Sequence, residues 1–314
     1  MAQNWLGADL WVTEYITPVD VYAHGVSRIL AFQKTAFQEM YVVESESYGK
    51  ALVLDGKWQS CTGDEFLYHE PLVHPAAVHH GAPRQVLILG GGGRGYVPGE
   101  VLRWQTVEKV VMVDIDGEVV EACRQHLAEM HCGSFDDPRF ELKVGDALVY
   151  LDETQEDWDI VISDLTDPIE EGPSFKLFTK EYFARVRNVL TPNGIFVLQS
   201  GSVAPANLPI YARLAHTLQS VYRYVQPYIT YASTYGAPWG FLLASDRPLP
   251  TAIDPQAVDR LLAEKVSGPL KMFDGTTMLG LLHPPAHIRQ AIAAETEVYT
   301  EAHPPKFFGK GILG

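Results

Sequence analysis

Two carboxylates three residues apart, Asp164 and Asp167, form the motif with the most distinct chemistry in this sequence. They follow an apolar run that begins at Trp158, and Pro168 restricts the backbone directly after them. Carboxylates in this arrangement can hold a cationic amine by charge-assisted hydrogen bonds. One of them can also take a proton from an ammonium group, so that the nitrogen becomes nucleophilic. The same pair could instead bind a metal ion or form an Asx-turn.

Three other apolar runs also end in glycine or polar residues. They are followed by Gly90–Gly95, by Asp114 with Asp116, and by Gln199 with Ser200. Ligands of parallel sheets bind outside the carboxyl ends of the strands, so these ends together with Asp164 predict one site. The glycines allow the backbone to approach a ligand closely, and Asp114 could accept hydrogen bonds from both hydroxyls of a ribose.

Asp146 has two interpretations that the residues alone do not separate. It follows a strand-like segment, Phe140–Val144, and precedes a helical pattern over 147–152. Its carboxylate could accept a hydrogen bond from an adenine amino group, or it could cap the helix.

The elements around these residues predict an α/β fold. Val86–Leu89 and Val110–Val113 have the pattern of buried strands on either side of a glycine-rich turn, as in a nucleotide-binding βαβ unit. Strands and helices alternate from Gln85 to about Ser245, with a helix over Lys180–Leu190 closed by a turn at Thr191–Gly194. This alternation predicts a mostly parallel, doubly wound sheet that is covered by helices on both faces.

The first 75 residues differ in pattern from the rest of the chain. They contain β-rich runs, among them Trp11–Ile16 and Met40–Ser45, and an Asp-Gly turn at Asp55. A helix then begins near Asp64, which we expect to be its N-cap. We therefore predict a small N-terminal antiparallel β domain over 1–75 and a Rossmann-like domain of the class I methyltransferase type over 76–314.

The composition of the chain argues against some classes of function and favours others. The chain of 314 residues carries a net charge of −15, which argues against nucleic acid and suits a small cationic substrate. No apolar run reaches 18 residues, so no membrane span is expected. The three cysteines and eleven histidines lack metal-ligand spacing. We expect no metal, and thiols kept reduced in the cytoplasm.

Taken together, these motifs resemble the polyamine aminopropyltransferases of the spermidine synthase family, and most closely its thermospermine synthase branch. The resemblance extends over nearly the whole chain. The motifs that carry it are Leu54–Gly56 with Gln59-Ser60, Asp64-Glu65 with Tyr68–Glu70, Val86–Gly92, Val113–Asp116, Asp136–Arg139, Asp146-Ala147, Asp164–Pro168, and Asp167–Glu170 with Gly172-Pro173, Lys176-Leu177 and Thr179.

The resemblance implies decarboxylated S-adenosylmethionine as donor, a di- or polyamine as acceptor, and methylthioadenosine as by-product, with no permanently bound cofactor. It also implies a homodimer or homotetramer. On the donor side it implies binding by Gln38, Gly90, Gly91, Gly92, Asp114, Asp146 and Ala147, with Asp114 on the ribose and Asp146 on the adenine. Arg94 of the same glycine-rich loop is a further candidate for donor binding. On the acceptor side it implies that Asp164 deprotonates the amine, that Asp167, Tyr68, His69 and Tyr235 line its channel, and that Gln59, Gln199 and Trp239 contact it.

The glycine-rich loop departs from the family pattern. Family members carry an acidic residue after the three glycines, but here Gly93 and Arg94 follow and the loop is one residue longer. Arg94 would favour a carboxylate, because guanidinium binds carboxylates in a bidentate manner. One alternative is therefore transfer of a methyl or 3-amino-3-carboxypropyl group from S-adenosylmethionine itself, where methyl transfer leaves S-adenosylhomocysteine. Another is an inactive homologue that binds amines or nucleosides. Pro98-Gly99 also predicts that no helix forms directly after the loop.

Overall fold

A computed structural model of the protein describes residues 7–91, 96–167, 173–306 and 310–313. The glycine-loop residues 92–95 and residues 168–172 fall outside this range. Gly92, Arg94, Pro168, Ile169, Glu170 and Gly172 of the sequence motifs are among them.

A seven-stranded mixed sheet is the centre of the fold. Its strands, in chain order, are β7 (Gln85–Gly90), β8 (Lys109–Asp114), β9 (Phe140–Val144), β10 (Trp158–Asp164), β11 (Leu190–Ser202), β12 (Tyr224–Tyr231) and β13 (Pro238–Ser245). The order across the sheet is β12-β13-β11-β10-β7-β8-β9. The five strands from β11 to β9 are parallel, and β13 and β12 are antiparallel to their neighbours. The predicted α/β fold, with a mostly parallel sheet, is confirmed.

Helices cover both faces of this sheet. In chain order they are α1 (Phe66–His80), α2 (Tyr96–Leu102), α3 (Gly117–His126), α4 (Ala128–His131), α5 (Ala147–Glu153), α6 (Lys180–Asn188), α7 (Leu208–Gln219), α8 (Pro255–Lys265), α9 (Gly275–Leu281) and α10 (Ala286–Ala294). Alternate residues of the buried strands belong to two cores. Ile88 and Ile162 pack with α1, whereas Leu87 and Val161 pack with α6 and α7.

Two smaller antiparallel sheets precede the large sheet. Their strands are β1 (Leu10–Thr17), β2 (Asp20–Val26), β3 (Arg28–Lys34), β4 (Glu39–Ser45), β5 (Gly49–Leu54), β6 (Lys57–Cys61) and β14 (Lys310–Leu313). The four strands β3 to β6 form a meander, and β1 lies between β14 and β2. The predicted N-terminal antiparallel region is confirmed. Strand β14, from the other end of the chain, was not predicted.

Local expectations failed at three positions. Pro98 lies inside α2, where it is tolerated because the first turn of a helix has no intrahelical partner for its N–H groups. The helix α1 has Glu65 as its N-cap residue, whereas the carboxylate of Asp64 accepts hydrogen bonds from Thr234 N and Oγ1. The turn predicted at Thr191–Gly194 is a bulge within β11, since the pairing with β10 passes from Leu190 to Ile195.

The predicted domain boundary at residue 75 falls inside α1. Leu72, Val73 and Ala76 of this helix pack into the core of the large sheet. The division of the chain into two domains stays a prediction. In the part of the chain that the structure describes, no helix is long and apolar enough to cross a membrane.

Candidate active site

A cavity of about 490 Å³ opens at the carboxyl edge of the large sheet. Strands β1 and β6 of the smaller sheets contribute to its wall. Most of the site residues predicted from sequence line this one cavity. They are Gln38, Gln59, Tyr68, Gly90, Gly91, Asp114, Asp146, Ala147, Asp164, Asp167, Gln199, Tyr235 and Trp239. Gly92 and Arg94 lie outside the described residues.

Asp114 ends strand β8 and is held by the backbone of the next residues. Its side chain is buried, and Oδ1 accepts a hydrogen bond from the amide of Asp116 at 2.9 Å. Asp116 in turn caps α3 through Oδ1, and its Oδ2 accepts from Gln38 Nε2 at 3.0 Å and from Thr35 Oγ1 at 2.6 Å. Asp116 therefore fixes the side-chain amide of Gln38, which comes from the smaller sheets, against the edge of the large sheet.

Asp146 is the N-cap residue of α5. Its Oδ1 accepts from the amide of Leu148 at 2.7 Å, and the residue also lines the cavity together with Ala147. The capping interpretation is confirmed. A carboxylate that lines the cavity can also accept a hydrogen bond from a ligand.

The glycines at the end of β7 allow close packing against the loop after β10. Gly90 and Gly91 have φ of +80° and +105°. A Cβ at Gly90 would lie 2.8 Å from Leu165 Cδ2, and the amide of Gly91 donates to the carbonyl of Asp164 at 2.8 Å. Only glycine adopts such a backbone without strain while a second loop lies so near.

Asp164 is buried at the end of β10, where only 2% of the residue is exposed. Its Oδ1 accepts a hydrogen bond from the phenol of Tyr68 at 2.5 Å. Tyr68 comes from the first turn of α1, and its ring lies edge-on to Tyr235 with centroids 5.6 Å apart. A carboxylate in this position can receive a proton from a bound amine while the phenol keeps its orientation.

Gln199 connects the Asp164–Asp167 loop to the other side of the cavity. Its Nε2 donates to the carbonyl of Leu165 at 2.7 Å and to Asp167 Oδ1 at 3.2 Å. Its Oε1 accepts from the indole of Trp239 at 3.0 Å. The amide is thus oriented from both ends, and the position of Asp167 depends on β11 and β13.

The tyrosine of the β12–β13 connection closes the cavity against strand β6. The phenol of Tyr235 donates to the backbone carbonyl of Gln59 at 2.6 Å, and its ring packs on Trp239 with centroids 4.7 Å apart. The acceptor-side residues predicted from sequence therefore form one connected wall, with the exception of His69.

His69 is not among the described residues that line the cavity. It is fully buried, its Nδ1 lies 2.8 Å from the carbonyl of Glu65, and its ring packs between Tyr68 and Tyr96. Consecutive residues of an α-helix point about 100° apart, and His69 lies on the side of α1 that faces Tyr96. That His69 borders the amine channel stays a prediction.

Two acidic residues of the cavity, Glu14 and Asp55, were not predicted as site residues by the sequence analysis. Glu14 of β1 lines the cavity, and its Oε1 accepts from the amide of Trp58 at 3.0 Å. The pKa of the Glu14 carboxyl is raised to about 7, chiefly by burial and to a smaller extent by Asp167, against the lowering effects of the Trp58 hydrogen bond and Lys57. The available signal was a glutamate within a run of apolar and aromatic residues.

Comparisons with known proteins agree with this arrangement. The model of the spermine/spermidine synthase domain matches residues 65–253, and that of the spermidine synthase tetramerisation domain matches residues 10–61. The polyamine aminopropyltransferase of Synechococcus sp. (strain JA-3-3Ab) is 54% identical over 303 residues, covering 94% of this chain and 97% of the relative. The chain belongs to the spermine/spermidine synthase family.

Further members of the family are similar over the same extent. The polyamine aminopropyltransferase of Sulfolobus acidocaldarius is 40% identical over 294 residues, covering 94% of this chain and 97% of the relative. A spermidine synthase in complex with the transition-state analogue AdoDATO superimposes with a TM-score of 0.84 at 27% identity, covering 93% of this chain and 97% of that chain. The spermidine synthase of Thermotoga maritima gives 0.81 at 27% identity, covering 91% and 94%.

Family membership confirms the resemblance that the sequence motifs indicated. The two family models match successive parts of this chain, residues 10–61 and residues 65–253. The match to a tetramerisation domain indicates that the chain forms oligomers.

Proposed function

We propose that this protein transfers an aminopropyl group from decarboxylated S-adenosylmethionine to a polyamine and releases methylthioadenosine. The family uses this donor, and the relatives that align over nearly the whole chain are named polyamine aminopropyltransferases. They support aminopropyl transfer over methyl transfer, 3-amino-3-carboxypropyl transfer and an inactive homologue. The observation that carries the proposal is the convergence of Asp114, Asp146 and Asp164 on one cavity.

The donor nucleoside fits the end of the cavity beside β7, β8 and α5. The carboxylate of Asp114 accepts the ribose hydroxyls, and Asp146 and Ala147 bind the adenine where α5 begins. Gln38 contacts the donor side chain, since its amide nitrogen is held by Asp116. Gly90 and Gly91 line the cavity without a side chain, so the donor can approach their backbone.

The acceptor reacts next to Asp164. The amine nitrogen gives up a proton to this carboxylate, and its lone pair then forms a bond to the aminopropyl carbon attached to sulfur. The carbon–sulfur bond breaks, and its electron pair stays on sulfur, so the sulfonium becomes a neutral thioether. The cavity contributes proximity, an unprotonated nitrogen and removal from bulk water.

The remaining residues of the wall hold the rest of the acceptor. Asp167 pairs with a second ammonium, and Gln199 fixes this carboxylate by its hydrogen bond. The rings of Tyr235 and Trp239 pack against the methylene groups between nitrogens, with cation–π attraction for the charged ends. The backbone carbonyl of Gln59 accepts the hydrogen bond of the Tyr235 phenol and so helps to fix this ring.

The reaction can be tested with purified protein and two donors. Decarboxylated S-adenosylmethionine and S-adenosylmethionine are each incubated with putrescine or spermidine, and the nucleoside and amine products are measured by mass spectrometry. We expect methylthioadenosine and an amine heavier by one aminopropyl group with the decarboxylated donor only, and no product with Asp164→Asn. S-Adenosylhomocysteine or a carboxylated amine product would overturn the proposal, as would the absence of any product.

We also propose that the oligomer is a homodimer or homotetramer built through the smaller sheets. The tetramerisation-domain match spans strands β1 to β6. Large apolar side chains are exposed there, with Val19 at 87%, Val21 at 56% and Phe32 at 56%. Light scattering after size-exclusion chromatography measures the mass in solution, and a monomer at micromolar concentration would contradict this proposal.

A further inference from the structure

Strand β2 of the smaller sheets holds the turn that carries Tyr235. We call residues 233–236 the β12–β13 turn, because they lie between these two strands of the large sheet. The phenol of Tyr22 on β2 donates to the carbonyl of Ser233 in this turn at 2.8 Å. A Cβ on Gly236 would lie 3.0 Å from the Tyr22 ring, so the ring also packs on the last residue of the turn. Tyr22 thus contacts the turn both before and after Tyr235 in the chain.

His24, on the same strand as Tyr22, contacts the same turn. Only 4% of the residue is exposed, and its Nε2 lies 2.8 Å from the carbonyl of Thr234. Because a carbonyl can only accept a hydrogen bond, Nε2 carries the proton and donates. Alternate side chains of a strand point to the same side, so Tyr22 and His24 form one contact surface, whereas Ala23 between them is exposed.

Three aromatic rings fix the orientation of the His24 ring. Tyr22 and Tyr48 lie edge-on to it, with centroids 4.8 Å and 5.7 Å away, and Trp58 lies tilted against it at 4.4 Å. Burial lowers the pKa of His24 and outweighs the opposite effect of its hydrogen bond to Thr234, so the neutral ring is favoured. A ring enclosed in this way keeps its Nε2 directed at the turn.

The β12–β13 turn has a further anchor in the segment that precedes α1. Asp64 Oδ2 accepts from the amide of Thr234 at 2.9 Å, and Asp64 Oδ1 accepts from the Thr234 hydroxyl at 3.1 Å. The residue directly before Tyr235 is therefore held by Asp64 through its amide and by His24 through its carbonyl. These contacts fix the backbone from which the Tyr235 ring reaches Tyr68 in the cavity wall.

We propose that Tyr22 and His24 are positioning residues for the acceptor, because they hold the β12–β13 turn in the place from which Tyr235 packs on the bound amine. This inference rests on the proposed aminopropyl transfer. Neither residue is among the described residues that line the cavity, so both act on the acceptor only through the turn. The donor nucleoside lies at the other end of the cavity, beside β7, β8 and α5, and its binding is independent of this contact.

The two hydrogen bonds are removed separately in Tyr22→Phe and His24→Leu. Phenylalanine keeps the ring that packs on Gly236, and leucine keeps an apolar side chain among the three aromatic rings. We expect the acceptor KM to rise about three- to tenfold in each variant, while the donor KM stays the same. An unchanged acceptor KM in either variant, or an equal rise of both KM values, would overturn the inference.

A conservative variant tests whether the donated hydrogen bond of His24 is what matters. In His24→Gln the side-chain amide can still donate to the carbonyl of Thr234. Its acceptor KM should therefore stay within about twofold of the unaltered enzyme, in contrast to His24→Leu. The same rise in both variants would contradict a role for this hydrogen bond.

The matched control is Tyr222→Phe, which removes a phenol that donates to the carbonyl of Phe183 outside the cavity. This variant should lose stability but keep both KM values. Circular dichroism and thermal unfolding show whether each variant is folded. If the unaltered enzyme transfers no aminopropyl group to any amine, the proposed function fails. Unchanged KM values in active variants would overturn only the positioning role.

A double-mutant cycle shows whether Tyr22 acts through Tyr235. Spermidine binding to the enzyme filled with methylthioadenosine is measured by calorimetry in Tyr235→Ala, with and without Tyr22→Phe. If Tyr22 only positions Tyr235, its hydroxyl should affect the acceptor Kd less than twofold once the Tyr235 side chain is absent. A merely structural role would weaken binding equally in both backgrounds, and that result would count against the inference.

Discussion

The phenol of Tyr68 donates a hydrogen bond to Oδ1 of Asp164 at 2.5 Å. Tyr68 comes from helix α1, and Asp164 from the end of strand β10, so the contact joins two elements separated by 96 positions in the chain. The ring of Tyr68 is packed edge-on against Phe241 and Tyr235, which leaves it little freedom to rotate away. Asp164 is therefore held in one orientation before any substrate binds.

Removing this hydroxyl should impair the chemical step. In Tyr68→Phe we expect kcat to fall about 10–100-fold, because a hydrogen bond to a charged group contributes about 1.5–3 kcal/mol. The donor KM should be unchanged. The matched control is Tyr228→Phe, which removes a buried phenol that binds the carbonyl of Pro71. That variant should lose stability but keep kcat. An unchanged kcat in Tyr68→Phe would exclude a positioning role for the phenol.

Gln38 should distinguish the donor from its product. We expect Gln38→Ala to weaken binding of decarboxylated S-adenosylmethionine about tenfold and to leave methylthioadenosine binding within twofold, because the product lacks the aminopropyl group. Isothermal titration calorimetry with both ligands checks this. Thr35→Val is the matched control, since Thr35 also binds Asp116 Oδ2 but does not line the cavity. If Gln38→Ala weakened the binding of both ligands equally, Gln38 would contact the nucleoside that they share.

The orientation of the Gln199 amide should control the acceptor side. Glutamate at this position would direct an oxygen at the carbonyl of Leu165 and at Asp167, where the amide nitrogen now donates. We expect Gln199→Glu to lower the free energy of unfolding by about 1–3 kcal/mol and to raise the acceptor KM. Gln226→Glu is a comparable change, because Gln226 donates to two carbonyls outside the cavity. Gln226→Glu should lower the free energy of unfolding but leave the acceptor KM unchanged.

Asp159 should make a pH-dependent contribution to stability. Burial tends to raise its pKa, but hydrogen bonds from His80 and from the amides of Arg84 and Gln85 outweigh burial and lower the pKa to about 2. Because the folded-state pKa lies below the unfolded value, the stabilisation is present above about pH 4 and is lost as the pH falls toward 2. Asp159→Asn should therefore lower the free energy of unfolding by about 1–2 kcal/mol at pH 7.

Urea unfolding at pH 7, 5 and 3 checks this expectation. The difference between Asp159→Asn and the unaltered protein should be largest at pH 7 and should shrink at pH 3. Transfer activity should not change, since Asp159 lies at the end of β10 that is remote from Asp164. A constant difference at every pH would show that folding does not shift the pKa of Asp159.

The sequence alone located the site at the carboxyl edge of the large sheet, because each site residue there lies close to the end of its strand in the chain. Asp114 and Asp164 each follow a short apolar run, and the carboxyl ends of parallel strands meet at one edge. The alternation of strands and helices predicted a mostly parallel sheet for the same reason. Position in a strand thus determined which side chains reach the cavity.

This reasoning could not predict contacts between residues that are far apart in the sequence. Glu14 reaches the cavity only because β1 lies against β6, and β14 pairs with β1 from the other end of the chain. The contacts of His69 with Glu65 and Tyr96 likewise depend on the rotation of α1, in which the neighbouring Tyr68 faces Asp164. Pro98 predicted a break in the helix, although its place in the first turn of α2 makes it acceptable.

The pairing of β14 with β1 also has a consequence for the order in which the protein matures during synthesis. Gly311 lies so near Gly56 that a Cβ on either residue would come within about 2.2 Å of the other's backbone, which fixes the register of the last strand. The large sheet is complete at β13, well before this strand leaves the ribosome. Of the described strands, only β2 pairs with the strand that carries Glu14 until β14 is made, so one edge of β1 is completed after the large sheet.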